Sequence, residues 1–269
     1  MKLSGQTILL AGASSGIGAQ CARVLKSMGA YIVGFDRNEP AANVDHFIQF
    51  DQSDPDSIER AIAAFHGKAD ALCNIAGVAP TVGTENVIKI NFLGLRRFTE
   101  LAAGKLNDGA VIINLASMAG FFWQRNLHLV KALIDLSSFG ETEQFCSEHQ
   151  VIANGMDPTS CYPLSKQAVT AWSIQNFNRW AERRITMNVV SPGPVETPIL
   201  QDFFATIGDL PKEGFLAELR PGTPAEIAQV IGFLCSSDAR WINGANIPVD
   251  GGLSAFLTNT IDGAPAPAH

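Results

Sequence analysis

The chain has 269 residues, enough for one large domain with an ample core, and a formal net charge of −7 that excludes nucleic-acid binding as its main task. It contains no basic run, no apolar stretch long enough to span a bilayer and no signal-peptide pattern, so no membrane or nucleic-acid partner is expected and a cytoplasmic protein is. Five cysteines are scattered singly at 21, 73, 146, 161 and 235, which implies reduced thiols rather than a disulfide frame, and the five histidines lack metal-ligand spacing.

The first predicted strand, Thr7-Ile-Leu-Leu-Ala, runs into Gly12-Ala-Ser-Ser-Gly16-Ile-Gly18. Apolar residues then recur at helical steps, at Ile17, Cys21, Val24, Leu25 and Met28. Strand, tight turn and helix in that order make a phosphate cradle. Gly12 permits the turn, Gly16 lets a pyrophosphate approach the backbone, and Gly18 allows close helix–strand packing. Ser14, Ser15 and Ile17 belong to the same cradle, and the helix start offers free N–H groups to phosphates. The second strand, Tyr31–Phe35, ends at Asp36. A carboxylate there accepts both ribose hydroxyls of an adenosine and repels a 2′-phosphate, so NAD is the expected cofactor, with Arg37 beside it to stack on adenine or meet a phosphate.

Further strands are predicted at Phe47–Asp51, Ala71–Gly77, Val111–Leu115, Ile185–Val190 and Ile247–Asp250, the last at an edge because of Pro248. Asp51 ends the third strand and Gln52 follows it. In the fourth, the small residues after Asn74, among them Ala76 and Gly77, leave room for the adenine and its linker. Ser117 falls just past the fifth, and Pro192, Gly193, Val195 and Thr197 past the sixth. Ligand sites in parallel sheets gather at these carboxyl ends. The expected fold is α/β: a doubly wound parallel sheet of about seven strands flanked by helices. Tyr162 and Lys166 stand four apart, which puts both on one helix face. A phenol beside an ammonium becomes a general base if its pKa falls from about 10 toward about 7.

These motifs, taken in order, resemble the short-chain dehydrogenase/reductase superfamily from about residue 5 to residue 256. Ala11 stands where the family has Thr and lacks its hydroxyl, and Cys73 replaces the first Asn of the Asn-Asn-Ala-Gly element. The resemblance implies a catalytic set of Asn91, Ser117, Tyr162 and Lys166. Tyr162 takes the substrate proton, Lys166 lowers its pKa and binds the nicotinamide ribose, and Ser117 holds the substrate oxygen. Asn91 bends its helix and holds a relay water. Pro192, Gly193 and Thr197 frame the nicotinamide. The expected activity is NAD-dependent hydride transfer to or from an alcohol or ketone. A catalytically silent NAD-binding sensor or scaffold and a nucleotide-sugar epimerase or dehydratase are the alternatives.

Ser117 and Tyr162 lie unusually far apart for this family, which marks an insertion at about 121–160. That spacing is similar to the bacterial 3α-hydroxysteroid dehydrogenase/carbonyl reductase and coniferyl-alcohol dehydrogenase group. Val78, Ala79, Met118, Phe121, Phe122, Trp123, Phe203 and Phe204 are candidate substrate walls, which favours a bulky, mostly apolar substrate of hydroxysteroid or aromatic type. Arg125, His128 and Lys131 are candidate polar anchors. Leu127–Leu136 and Thr142–Glu148 read as two helices. In ordinary relatives helices flanking this region meet between subunits. The insertion obstructs that contact, so a homodimer through the last strand and the helix from Ala225 to Cys235 is expected. One domain, 1–260, and a flexible tail, 261–269, complete the expected organisation.

Overall fold

The computed structural model describes residues 2–157, 159–200, 202 and 220–261. Seven strands form one sheet: β1 (Thr7–Ala11), β2 (Tyr31–Asp36), β3 (His46–Gln49), β4 (Ala69–Asn74), β5 (Leu106–Leu115), β6 (Thr186–Pro192) and β7 (Asn246–Val249). Their order is β3-β2-β1-β4-β5-β6-β7, and every neighbouring pair is parallel. The strand order therefore reverses between β1 and β4, where a crevice opens at the carboxyl ends.

Both faces of the sheet are covered, so its strands are continuous apolar runs. In β1, Leu9 and Ala11 face one core with Val33, Phe35, Ile112 and Val189, whereas Ile8 and Leu10 face the other with Ile32, Ile113 and Val190. Helices α1 (Gly16–Ser27) and α8 (Pro224–Cys235) close the second face and pack on each other. Helices α2 (Pro55–Ala64), α4 (Leu95–Ala102) and α7 (Cys161–Gln175) close the first. The short helix α3 (Thr84–Ile88) leads into α4 through a π-turn at Lys89–Gly94. Helix α9 (Leu253–Ile261) follows β7. Local chemistry sets several starts: Asp54 accepts from the Asp56 amide at α2, and Thr223 and Glu226 form a capping box at α8, each with proline in the first turn.

Strand limits shift slightly from those expected. β3 stops at Gln49 because Phe50 turns into the core, 3% exposed, against Phe35 and Phe98. β5 starts earlier, at Leu106, and the register slips between Ala69 and Ala71 opposite it. Pro248 lies on β7, which among the described residues pairs only with β6 and so is an edge.

The insertion contains α5 (Leu127–Ile134) and α6 (Thr142–Glu148). Leu129, Val130, Leu133 and Phe145 join the same core as Leu164, Ala168, Val169 and Trp172 of α7. Every residue of α7 from Pro163 to Ser173 is buried in consequence. Arg96 of α4 fastens the insertion by donating to the carbonyls of Ile134 and Leu136, each at 2.6 Å, with its guanidinium 5.4 Å from the Phe92 ring centre. Phe203, Phe204 and the tail from 262 lie outside the described residues.

Candidate active site

A cavity of about 350 Å³ follows the carboxyl ends of β1, β2, β4, β5 and β6. Along one arm it is lined by Gly12, Ser14, Ser15, Gly16, Ile17, Gly18, Asp36, Arg37, Asp51 and Gln52. Along the other lie Ala76, Gly77, Ser117, Tyr162, Lys166, Pro192, Gly193, Val195 and Thr197.

The first arm is backbone-built. A Cβ on Gly18 would lie 1.6 Å from the Gly12 carbonyl oxygen, so only glycine lets α1 begin this close to β1. The start of α1 has no side-chain cap from Ser15 and no acidic residue in its first turn. Its free N–H groups and positive dipole end are thus left to the cavity, a fit for a pyrophosphate. Asp36 closes the arm. Its carboxylate accepts from the amides of Ser14, at 3.0 Å, and Asn38, at 3.2 Å, which fixes it at the tip of β2. Asp51 is partly engaged, accepting from the Ser53 amide and hydroxyl at 2.8 and 2.6 Å. Gln52 is 5% exposed and donates to the Ile90 carbonyl at 2.7 Å, and its own carbonyl oxygen has no partner among the described residues.

The second arm is built by α7 and the end of β5. A Cβ on Gly120 would meet the Lys166 carbonyl at 2.5 Å, so the turn Met118–Gly120 rests directly on α7. That contact brings Ser117 to Tyr162, and their hydroxyls are hydrogen-bonded. Ser117 also accepts from the Ala119 amide at 3.2 Å, so it caps the turn as well. Lys166 is 3% exposed, donates to the Leu115 carbonyl at 3.1 Å and places Nζ 5.7 Å from the Tyr162 ring centre.

Burial dominates both titrating groups. It pushes the Tyr162 phenol up to about 12, against a downward pull from the Ser117 hydrogen bond. It pushes the Lys166 ammonium down to about 8. Lys166 is itself desolvated and bonded to the Leu115 carbonyl, so in the chain without dinucleotide burial outweighs the Ser117 bond at Tyr162. Cys161, next in chain to Tyr162, is a passive neighbour: its thiol donates to the Ala153 carbonyl at 3.2 Å and burial raises it to about 11.

Two of the expected site residues lie off the cavity lining. Asn91 is fully buried in the π-turn; its amide bonds both the amide and the carbonyl of Val78, at 2.8 and 3.1 Å, and reaches Ser165 at 3.3 Å. That makes it a clamp between the end of β4 and α7. Asn74 donates to Thr99 at 2.8 Å and to Asn114 at 2.7 Å, inside the core. Among the wall candidates, Val78 and Met118 line the cavity, Ala79 is buried behind it and Trp123 packs on the core. Phe122 and Arg125 line an adjoining cavity of about 280 Å³, whereas the His128 ring lies 6.5 Å from His149. Met156, Ile199, Leu200 and Leu253 line the main cavity in addition to the wall candidates named from the sequence. Met156 sits in an aperiodic stretch, Asn154-Gly-Met-Asp157, that gave no signal.

The sheet order, the glycine cradle and the Ser117–Tyr162–Lys166 group define a nucleotide-binding oxidoreductase. Residues 6–128 match the family model described as short chain dehydrogenase, and residues 146–254 the one described as Enoyl-(Acyl carrier protein) reductase. The coniferyl-alcohol dehydrogenase of Pseudomonas sp. (strain HR199 / DSM 7063) is 40% identical over 257 residues, 95% of this chain and 99% of that protein. The 3-alpha-hydroxysteroid dehydrogenase/carbonyl reductase of Comamonas testosteroni is 30% identical, covering 94% of this chain and 98% of its own. Among solved structures, the 3-alpha-hydroxysteroid dehydrogenase from Pseudomonas sp. B-0831, complexed with NADH, superposes with a TM-score of 0.78 at 28% identity, covering 93% of this chain and 98% of that one. The chain belongs to the short-chain dehydrogenase/reductase family.

Proposed function

We propose that this protein is an NAD-dependent alcohol dehydrogenase/carbonyl reductase for a bulky, mostly apolar substrate of aromatic-alcohol or hydroxysteroid type. The observation that carries the reading is the Ser117–Tyr162 hydroxyl pair over buried Lys166, at one end of a cavity whose other end presents Asp36. A silent sensor gains nothing from a desolvated ammonium, which costs free energy to hold. The names of the two relatives support the substrate class, and the NADH of the similar structure supports the cofactor.

In oxidation, Tyr162 as phenolate accepts the substrate hydroxyl proton. Ser117 donates to the same oxygen and stabilises the charge that develops there. Lys166 supplies positive potential below the phenol and a donor toward a ribose. Asn91 holds Val78 and α7 in register and positions the group without touching it. The bound dinucleotide supplies the hydride acceptor and, when oxidised, a cationic ring that favours the phenolate. Asp36, held by two backbone amides, would accept from the ribose hydroxyls of an adenosine and would repel a 2′-phosphate.

Assembly as a homodimer through β7 and α8 belongs to the same reading. Helix α7 is covered from within its own chain, while β7 is an open edge among the described residues and Trp241, a few positions before it in the chain, is fully exposed. Five cysteines outside any disulfide suit a reducing, cytoplasmic setting. Turnover with NAD and with NADP on a panel of aromatic and alicyclic alcohols tests the enzymatic reading. Turnover that Tyr162→Phe leaves intact, or none on any member of the panel, overturns it.

A further inference from the structure

We propose that Arg125 and Gln167 form a distal subsite that binds an acceptor oxygen group, a carboxylate by preference, at the end of the substrate remote from the reacting carbon. This rests on the oxidoreductase reading and names its substrate class more closely: a hydroxy- or oxo-substituted aromatic or alicyclic acid.

The two cavities are neighbours. The smaller one, about 280 Å³, shares Met118, Ala119 and Met156 with the catalytic cavity. Those three side chains are apolar, so a substrate that spans both cavities lays an apolar body against them. Beyond them the wall changes character. Phe122 and Leu257 remain apolar, but Arg125, Asn126 and Gln167 add polar groups.

The polar groups offer donors. Asn126 donates its amide to the Gln167 carbonyl oxygen at 2.9 Å, which uses the acceptor of Gln167 and leaves its NH2. Gln167 is 7% exposed on α7, so this donor is fixed in place by its helix. The Arg125 guanidinium lies 4.6 Å from the Phe122 ring centre, which orients its plane. No carboxylate or carbonyl pairs with that guanidinium among the described residues. Elsewhere in the same acidic chain Arg60, Arg97, Arg179, Arg183 and Arg220 each pair with a carboxylate. A planar fork of donors on the exposed Arg125, lining the same cavity as the amide donor of the buried Gln167, selects a group with acceptors only. A carboxylate meets both through paired N–H···O bonds.

The test compares cinnamyl alcohol with 4-carboxycinnamyl alcohol. The protein is expected to favour the carboxylated alcohol on the order of tenfold in kcat/KM, through KM, with the ratio falling to about one in Arg125→Met and partly kept in Arg125→Lys. A ratio near one in the unaltered protein, or a ratio unchanged in Arg125→Met, overturns the subsite. Calorimetric binding of the same two alcohols to Tyr162→Phe separates the subsite from the reaction. If neither alcohol turns over but the carboxylated one binds tighter in an Arg125-dependent way, the subsite stands and the oxidoreductase reading falls. If neither alcohol binds there, the subsite falls.

Discussion

The arm around Gly12–Gly18 and the insertion at 121–160 are built on opposite principles. The first places its groups through backbone: a glycine that no other residue replaces, an uncapped helix start, a carboxylate held by two amides. The second is placed through side chains from distant parts of the chain, with Leu129, Val130, Leu133 and Phe145 packed on α7 and Arg96 bonded to two carbonyls. An arm fixed by its own backbone tolerates loss of a side chain elsewhere. An insertion fixed by long-range packing does not. Tyr162 and Lys166 lie on α7, where the two principles meet.

The largest expected effect tests that meeting point. Tyr162→Phe keeps the ring on α7 and removes only the hydroxyl that bonds Ser117. Steady-state kinetics should show kcat reduced on the order of 10³-fold, and fluorescence titration should show dinucleotide affinity nearly unchanged. Loss of both in equal measure would mean the backbone-built arm depends on this side chain, against the comparison.

What the sequence disclosed follows the same division. The cradle, Asp36 and the seven strands depend on neighbours in sequence, through glycine spacing, apolar runs and the residues that end them, so local patterns located them. Ser117, Tyr162 and Lys166 were legible by resemblance, but their electrostatics were not. Whether Lys166 faces the phenol or the Leu115 carbonyl depends on how closely Gly120 lets β5 approach α7. The fate of Trp123, a core residue rather than a wall, and the presence of Met156 in the cavity both depend on how the insertion folds back. No periodicity within 121–160 encodes that.

Lys166→Met gives the next effect, read as stability against pH in the protein without cofactor. Burial lowers the folded-state pKa from 10.5 to about 8. Below pH 8 the ammonium is charged in both states, and the cost of burying it is fully present. Between about 8 and 10.5 the unfolded chain holds more protons than the folded one, so stability rises with pH, by at most about 3 kcal/mol. Tyr162, raised to about 12, acts in the opposite sense only above about pH 10, where stability falls. Denaturant melts at pH 7 and 9.5 should therefore show the parent gaining stability and Lys166→Met gaining none from this group. At pH 7 the variant should be the more stable one although it is inactive. A parent with a flat profile over that range would show that the ammonium is better solvated than its surroundings indicate.

Arg96→Met should cost about 2 kcal/mol, roughly 6 °C in Tm, because the carbonyls of Ile134 and Leu136 lose a charged donor at the end of α5. The comparison is sharpened by where the loss appears. Hydrogen exchange should quicken across 121–160 and stay unchanged in β1 and β2. Uniform loosening would place the insertion in the same cooperative unit as the cradle.

The smallest expected effect concerns Asp36, where charge and hydrogen bonding have to be separated. Its carboxylate accepts from Ser14 and Asn38, and in the proposed reading it also presents negative charge where a 2′-phosphate would sit. Asp36→Asn keeps one oxygen as acceptor for a backbone amide and removes the charge. The ratio of kcat/KM for NADP over NAD should rise on the order of tenfold, with NAD affinity only modestly reduced. Asp36→Ala removes both functions, so the ratio should rise similarly while KM increases for both dinucleotides as the turn after β2 loses its anchor. Arg37, on the same lining, then supplies the counter-charge, and Asp36→Asn combined with Arg37→Ala should lose the gained NADP use. If Asp36→Asn leaves the ratio unchanged, the carboxylate serves the turn alone, and the choice between dinucleotides is made elsewhere on the arm.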